Sequence, residues 1–157
     1  MNTVFVFYDK KFRNQVFPEL VPLKYFSKYT EQNIIYKFLR AAGIFRSEFF
    51  LLLGGDEVQA CVVLRKRPGL TPLGMNWFIY GVAVKKEMRG KGLGSILIKN
   101  LLDYCRTKKM KRVFLYVDFK NEAAVNLYLK NGFKILKIFN SDRRKRHSGE
   151  YLMKKDF

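Results

Sequence analysis

Residues 82–94 read Val-Ala-Val-Lys-Lys-Glu-Met-Arg-Gly-Lys-Gly-Leu-Gly, an apolar strand running through a glycine-rich turn into an apolar-periodic helix. A turn of this kind can grip a phosphate group. Gly90, Gly92 and Gly94 remove the Cβ atoms that would hold an anion off the backbone, and the unpaired N–H groups of a helix start point at it. Arg89 and Lys91 add two cations. The spacing disfavours two other phosphate-binding patterns. G-x-x-x-x-G-K-[ST] is absent, and glycines at every second position are not G-x-G-x-x-G, which argues against a mononucleotide kinase and a dinucleotide-binding dehydrogenase.

One strand–helix–strand distance further on, Leu115, Val117, Asn121, Ala124, Leu127, Tyr128, Gly132 and Phe133 form a second constellation. By residue type, Asn121 ahead of Glu-Ala-Ala is a helix N-cap. Tyr128, between Leu127 and Leu129, suits a core position with its hydroxyl at the rim.

Together, Arg89-Gly90-Lys91-Gly92-Leu93-Gly94 and the later Asn121–Tyr128–Gly132–Phe133 segment resemble the GNAT superfamily of N-acetyltransferases, most fully over residues 77–154. The resemblance implies an α/β (α+β) single-domain fold over 1–157, with a central mixed, splayed β-sheet and helices on both faces. It implies acetyl-CoA as acetyl donor and a primary amine as acceptor, on a small molecule or a protein, attacking directly in a ternary complex. Arg89, Gly90, Lys91, Gly92, Leu93, Gly94 and Ser95 would hold the pyrophosphate. Backbone groups of Val82, Ala83 and Val84 would pair with the pantetheine arm and polarise the thioester, and Asn121 would contact that arm. Tyr128 would be the general acid that protonates the departing thiolate. Several members carry a glutamate on the strand before the glycine turn, but the corresponding position here is Phe78. Glu57, Asp118 and Glu150 lie near expected strand ends and could act directly or through water, but read first as solvated turn residues; an exposed amine can also lose its proton to solvent, so no general base is assigned.

Several elements must position these residues. A strand is expected over 3–8, and Pro18 and Pro22 interrupt regular structure in the segment after it. A helix over 30–43 begins at Thr30-Glu31-Gln32-Asn33 and ends at Gly43. Strands over 48–53 and 58–66 flank Gly54-Gly55-Asp56-Glu57 as a hairpin, and a loop over 68–74 leads to a strand over 77–84. Leu93, Leu97, Leu101 and Cys105, joined by Ile98 and Leu102, make one apolar helical stripe. A strand over 113–117, a helix over 121–130 and strands over 133–140 and 150–154 complete the chain.

The 157 residues suit one domain. Cys61 and Cys105 show no C-x-x-C spacing and read as buried free thiols in a reducing compartment. His147, the only histidine, lacks metal-ligand companions, and no metal is expected. No leader pattern is visible, and no apolar run approaches the roughly 18 residues needed to cross a bilayer. The expectation is therefore a cytoplasmic protein with no membrane partner, a monomer or a homodimer. Net charge is +18, and most of it lies beyond residue 60. A coenzyme needs only a few cations, so the excess, including 142–147, suits either a basic surface or an anionic partner such as a ribosome or nucleic acid. The same charge disfavours polyamines as acceptors. The alternative function is a non-catalytic nucleic-acid-binding or CoA-binding module on the same fold.

Overall fold

The computed structural model describes residues 3–9, 11, 15, 47–68, 74–140 and 149–157. The expected helix over 30–43, the segment around Pro18 and Pro22, and the basic stretch 142–147 with His147 lie outside the described residues, as do 69–73 of the expected loop.

Seven strands form one mixed sheet: β1 (Thr3–Phe7), β2 (Ser47–Gly54), β3 (Glu57–Pro68), β4 (Met75–Val84), β5 (Arg112–Asp118), β6 (Lys134–Phe139) and β7 (Glu150–Asp156). Their order across the sheet is β1-β2-β3-β4-β5-β7-β6. All neighbours are antiparallel except β4 and β5. The β2–β3 hairpin turns through Gly55 and Asp56 alone, with Gly54 opposite Glu57. Gly55 takes φ +63°, which a side chain would oppose.

Between β4 and β5 come a short 3₁₀ turn (Lys86–Met88) and helix α1 (Leu93–Thr107), and between β5 and β6 comes helix α2 (Glu122–Lys130). The stripe Leu93, Leu97, Ile98, Leu101, Leu102 and Cys105 is buried as its spacing requires. It packs on Phe50, Leu52, Val62, Leu64, Ile79, Val113, Leu115 and Met153, and Tyr128 and Phe133 join the same cluster. Both described helices therefore cover one face of the sheet. The other face carries two smaller clusters, Leu51–Leu53–Val58–Cys61 and Phe78–Phe114–Leu152. Truncating a fully buried leucine such as Leu101 to alanine would cost roughly 2–5 kcal/mol, enough to consume much of a small domain's stability.

Candidate functional site

β4 and β5 pair at only two positions, Trp77 with Val113 and Phe78 with Phe114. Beyond these the strands part, opening a gap between 79–84 and 115–118. An irregularity in β4 accompanies the parting. From Cys61↔Ala83 to Val63↔Tyr80, β3 advances two residues and β4 three, so β4 carries an extra residue. Gly81 sits in this bulge at φ +55°. A Cβ there would meet only Val63, at 3.8 Å, so the backbone angle and not lack of space demands glycine. A bulge bends and twists its strand, which turns β4 away from β5. Sequence reasoning did not single out Gly81; the signal available was an isolated glycine inside a strand pattern.

The bulge and the alternation of the strand decide which backbone groups enter the gap. Lys85 donates its N–H to Gln59 O at 2.8 Å, toward β3. Successive strand residues turn their N–H and C=O to opposite edges, so Ala83 faces β3 with Lys85, opposite Cys61. Val82 and Val84 then face the gap. The carbonyl of Val84 is engaged by Arg89, whose Nε donates to it at 3.2 Å. The C=O of Val82 and the N–H of Val84 point into the gap. Arg89, expected as a phosphate contact, thus also ties the glycine turn back to the end of β4.

The three turn glycines serve different purposes. Gly90 (φ +76°) and Gly92 (φ +79°), the latter the N-cap of α1, need the left-handed region, and a Cβ on either would meet nothing within 4 Å. Gly94 is needed for packing: its Cβ would lie 3.3 Å from Leu127 Cδ2 of α2 and 3.9 Å from Val84 Cγ2. No amide from Gly90 to Gly94 donates to another described residue, and the first turn of α1 holds no acid. The cradle is open in front of Gly90 and Gly92, and the helix dipole adds to its attraction for an anion. These features fit a pyrophosphate. Ser95 is used locally, its N–H donating to Gly92 O at 3.0 Å.

Asn121 is the N-cap of α2, its Oδ1 accepting from Ala124 N–H at 3.1 Å. That leaves its Nδ2 as the group able to reach a ligand. Tyr128 lies on the inner side of α2, 7% exposed. The end of α2 explains the spacing to Gly132 and Phe133. Gly132 (φ +79°) donates to Leu129 O at 2.9 Å and Phe133 to Tyr128 O at 3.0 Å, the paired bonds of a Schellman cap. The Phe133 ring then meets the Tyr128 ring edge-on, with centroids 5.6 Å apart. The tyrosine hydroxyl has no hydrogen-bond partner among the described residues and is not sealed from solvent. Burial pushes its pKa up to about 12, so it is protonated at neutral pH.

Phe78, where a base would be sought, is buried against Phe114 (5.3 Å) and stacked on Tyr116 (5.9 Å). Glu57 is 3.7 Å from Lys85. Asp118 and Glu150 are register partners across β5 and β7 at the open end of the gap. Strand alternation from Phe114 and Leu152 puts both carboxylates on the sheet face that carries Phe78. Among the described residues no group of three or more His, Cys, Asp or Glu could hold a metal ion, and no helix is long and apolar enough to cross a membrane.

The model of the acetyltransferase (GNAT) family matches residues 13–133. Mycothiol acetyltransferase of Renibacterium salmoninarum is 42% identical over 55 residues, 35% of this chain but only 16% of that protein. The crystal structure of a GNAT-family acetyltransferase from Streptococcus pneumoniae superposes with a TM-score of 0.70 at 17% identity, covering 99% of this chain and all of that one. Arabidopsis thaliana Naa50, solved with the bisubstrate analogue CoA-Ac-MVNAL, superposes at 0.68 with 22% identity, over the full length of both chains.

Proposed function

The chain belongs to the GNAT acetyltransferase family, and from that premise we propose that it transfers the acetyl group of acetyl-CoA to a primary amine by direct attack in a ternary complex. The observation that carries this reading is the gap between β4 and β5, which ends at a turn of unpaired amides. It offers an extended slot for an amide-bearing arm beside a cradle for its phosphates.

In this mechanism the amides from Gly90 to Gly94 hold the pyrophosphate, with Lys91 and Arg89 nearby. Val82, through its C=O, pairs with the pantetheine arm, and the N–H of Val84 facing the gap stabilises charge developing on the thioester oxygen. The amine nitrogen forms the new C–N bond as the C–S bond breaks, and Tyr128 gives its proton to the leaving sulfur. A phenol held near 12 is a weak acid beside a thiol of about 8.5. It acts mainly by hydrogen bonding to the sulfur, and the proton follows as negative charge accumulates there. Asp118 and Glu150 draw an ammonium toward the mouth of the gap in a chain otherwise strongly basic, where the amine gives its proton to solvent. A small-molecule amine or a protein amine would suit this entrance; Naa50, bound to a CoA–peptide analogue, is a precedent for the latter.

The test is calorimetric titration with acetyl-CoA, in parallel with Gly92→Glu, followed by a screen of peptide and small-molecule amines for release of free thiol. Saturable binding lost in Gly92→Glu, with turnover of at least one amine, is expected. Binding without turnover of any amine would favour the non-catalytic CoA-binding module, and no binding would reject the site.

A further inference from the structure

A second concave site lies away from the glycine turn, where the C-terminal halves of the two helices stand over the sheet. It is a groove of about 460 Å³. One wall is the stripe of α1 on which Lys99, Asp103 and Arg106 recur at helical spacing, and the other is the end of α2, at Lys130 and Gly132. Lys155 of β7 joins them, on the face that carries Met153 and the helices. Its Nζ lies 2.6 Å from where a Cβ of Gly132 would be, so the ammonium rests against the α2 cap.

The charges of this groove are unbalanced. Asp103 is bonded to Arg106 at 2.5 Å. Lys99, Lys130 and Lys155 have no acidic partner among the described residues. On the opposite face, by contrast, Lys154 and Arg112 are both engaged by Asp156, at 2.9 and 3.6 Å. Three uncompensated ammonium groups and a guanidinium therefore border one hollow of small-molecule size. At 1.5 Å per residue, Lys99 lies roughly 9 Å and Arg106 roughly 20 Å along α1 from its first residue, so the groove is separate from the amide cradle.

We infer that this groove is a second ligand site, for a compact anion carrying several phosphate groups. Such an anion can meet cations on both walls and on the sheet at once, with several charged oxygens to share among them. A phosphodiester strand would be better served by an extended stripe of charge than by a short groove whose cations cluster at one place. Neither the groove nor its ligand depends on the acetyl-transfer reading, because binding there is measured directly.

The experiment is calorimetry of the full chain with inorganic triphosphate at about 0.15 M salt, where surface charge is screened within about 8 Å, without and with saturating coenzyme A. It compares Lys99→Gln/Lys130→Gln with the control pair Lys111→Gln/Lys137→Gln. All four lysines are exposed, and thermal melts verify that each variant is folded. With coenzyme A filling the amide cradle, one remaining binding site, weakened about tenfold or more by the groove pair and unchanged by the control pair, is the expected result. Complete displacement by coenzyme A would assign the phosphates to the coenzyme's own site and overturn the inference. So would equal weakening by both pairs, absence of triphosphate binding, or groove-dependent binding of a short single-stranded RNA without triphosphate binding.

Discussion

The Tyr128 ring is held edge-on by Phe133, 5.6 Å between centroids, while the N–H of Phe133 bonds the carbonyl of Tyr128. One helix-ending device thus fixes both the backbone and the ring of the proposed acid. Tyr128→Phe keeps the ring and removes only a hydroxyl that has no hydrogen-bond partner among the described residues. It should lower kcat by about tenfold to hundredfold, within the usual range for a general acid, and leave acetyl-CoA affinity and the melting temperature nearly unchanged. An equal loss of affinity would place the hydroxyl in coenzyme binding instead.

Arg89 Nε bonds Val84 O across the turn. Arg89→Ala should weaken acetyl-CoA binding by about tenfold, from loss of a cation and of the tie that orients the cradle. Arg89→Lys should restore only part, since a lysine supplies charge without the planar fork. Full restoration by lysine would reduce the role of Arg89 to charge alone; calorimetry separates the two.

Gly92→Ala and Gly94→Ala should fail differently. At φ +79° an alanine at 92 is strained by about 1–2 kcal/mol, although its methyl points into open space. An alanine at 94 has no such strain and must push Leu127 back by a few tenths of an ångström. Denaturant unfolding should show the larger loss at 92, and the opposite order would mean that α1–α2 packing is the tighter constraint.

Burial pushes Cys61 and Cys105 up to about 12, and Tyr128 likewise. Unfolded, the thiols titrate near 9 and the phenol near 10, so between those values and about 12 the native state holds more protons. Stability is then unaffected below pH 9 and falls as pH rises toward 12. Melting temperatures from pH 7 to 11 check the sign. A thiol reagent at pH 8 should modify neither cysteine until the chain is unfolded.

Lys109 is the non-glycine residue at positive φ (+52°) among the described residues, in the cap that ends α1. Its N–H bonds Arg106 O, and that of Met110 bonds Cys105 O. Lys109→Gly should relieve the left-handed strain and raise stability by about 0.5–1 kcal/mol, read as a higher denaturation midpoint. A fall would show that the lysine side chain contributes more than its backbone costs.

Much of this molecule was legible in its sequence, because the relevant physics is local. The apolar stripe from Leu93 to Cys105, the Gly54–Glu57 hairpin and the Asn121 cap each depend on residues within a few positions of one another. The glycine turn between a strand and a helix was legible for the same reason. Tertiary structure decided what depends on strands distant in sequence. The two-position pairing of β4 with β5 opens the gap, and the bulge at Gly81 turns Val82 and Val84 into it while Ala83 stays in the β3 ladder. Which of three neighbouring backbones is free depends on register, and register is invisible in residue type. Gly94 is also packed so that a Cβ would press on Leu127, 33 positions away, a contact that residue type does not show. The basic groove had no sequence signature either, because Lys99, Lys130 and Lys155 come from three elements that only the packing of both helices on one sheet face brings together.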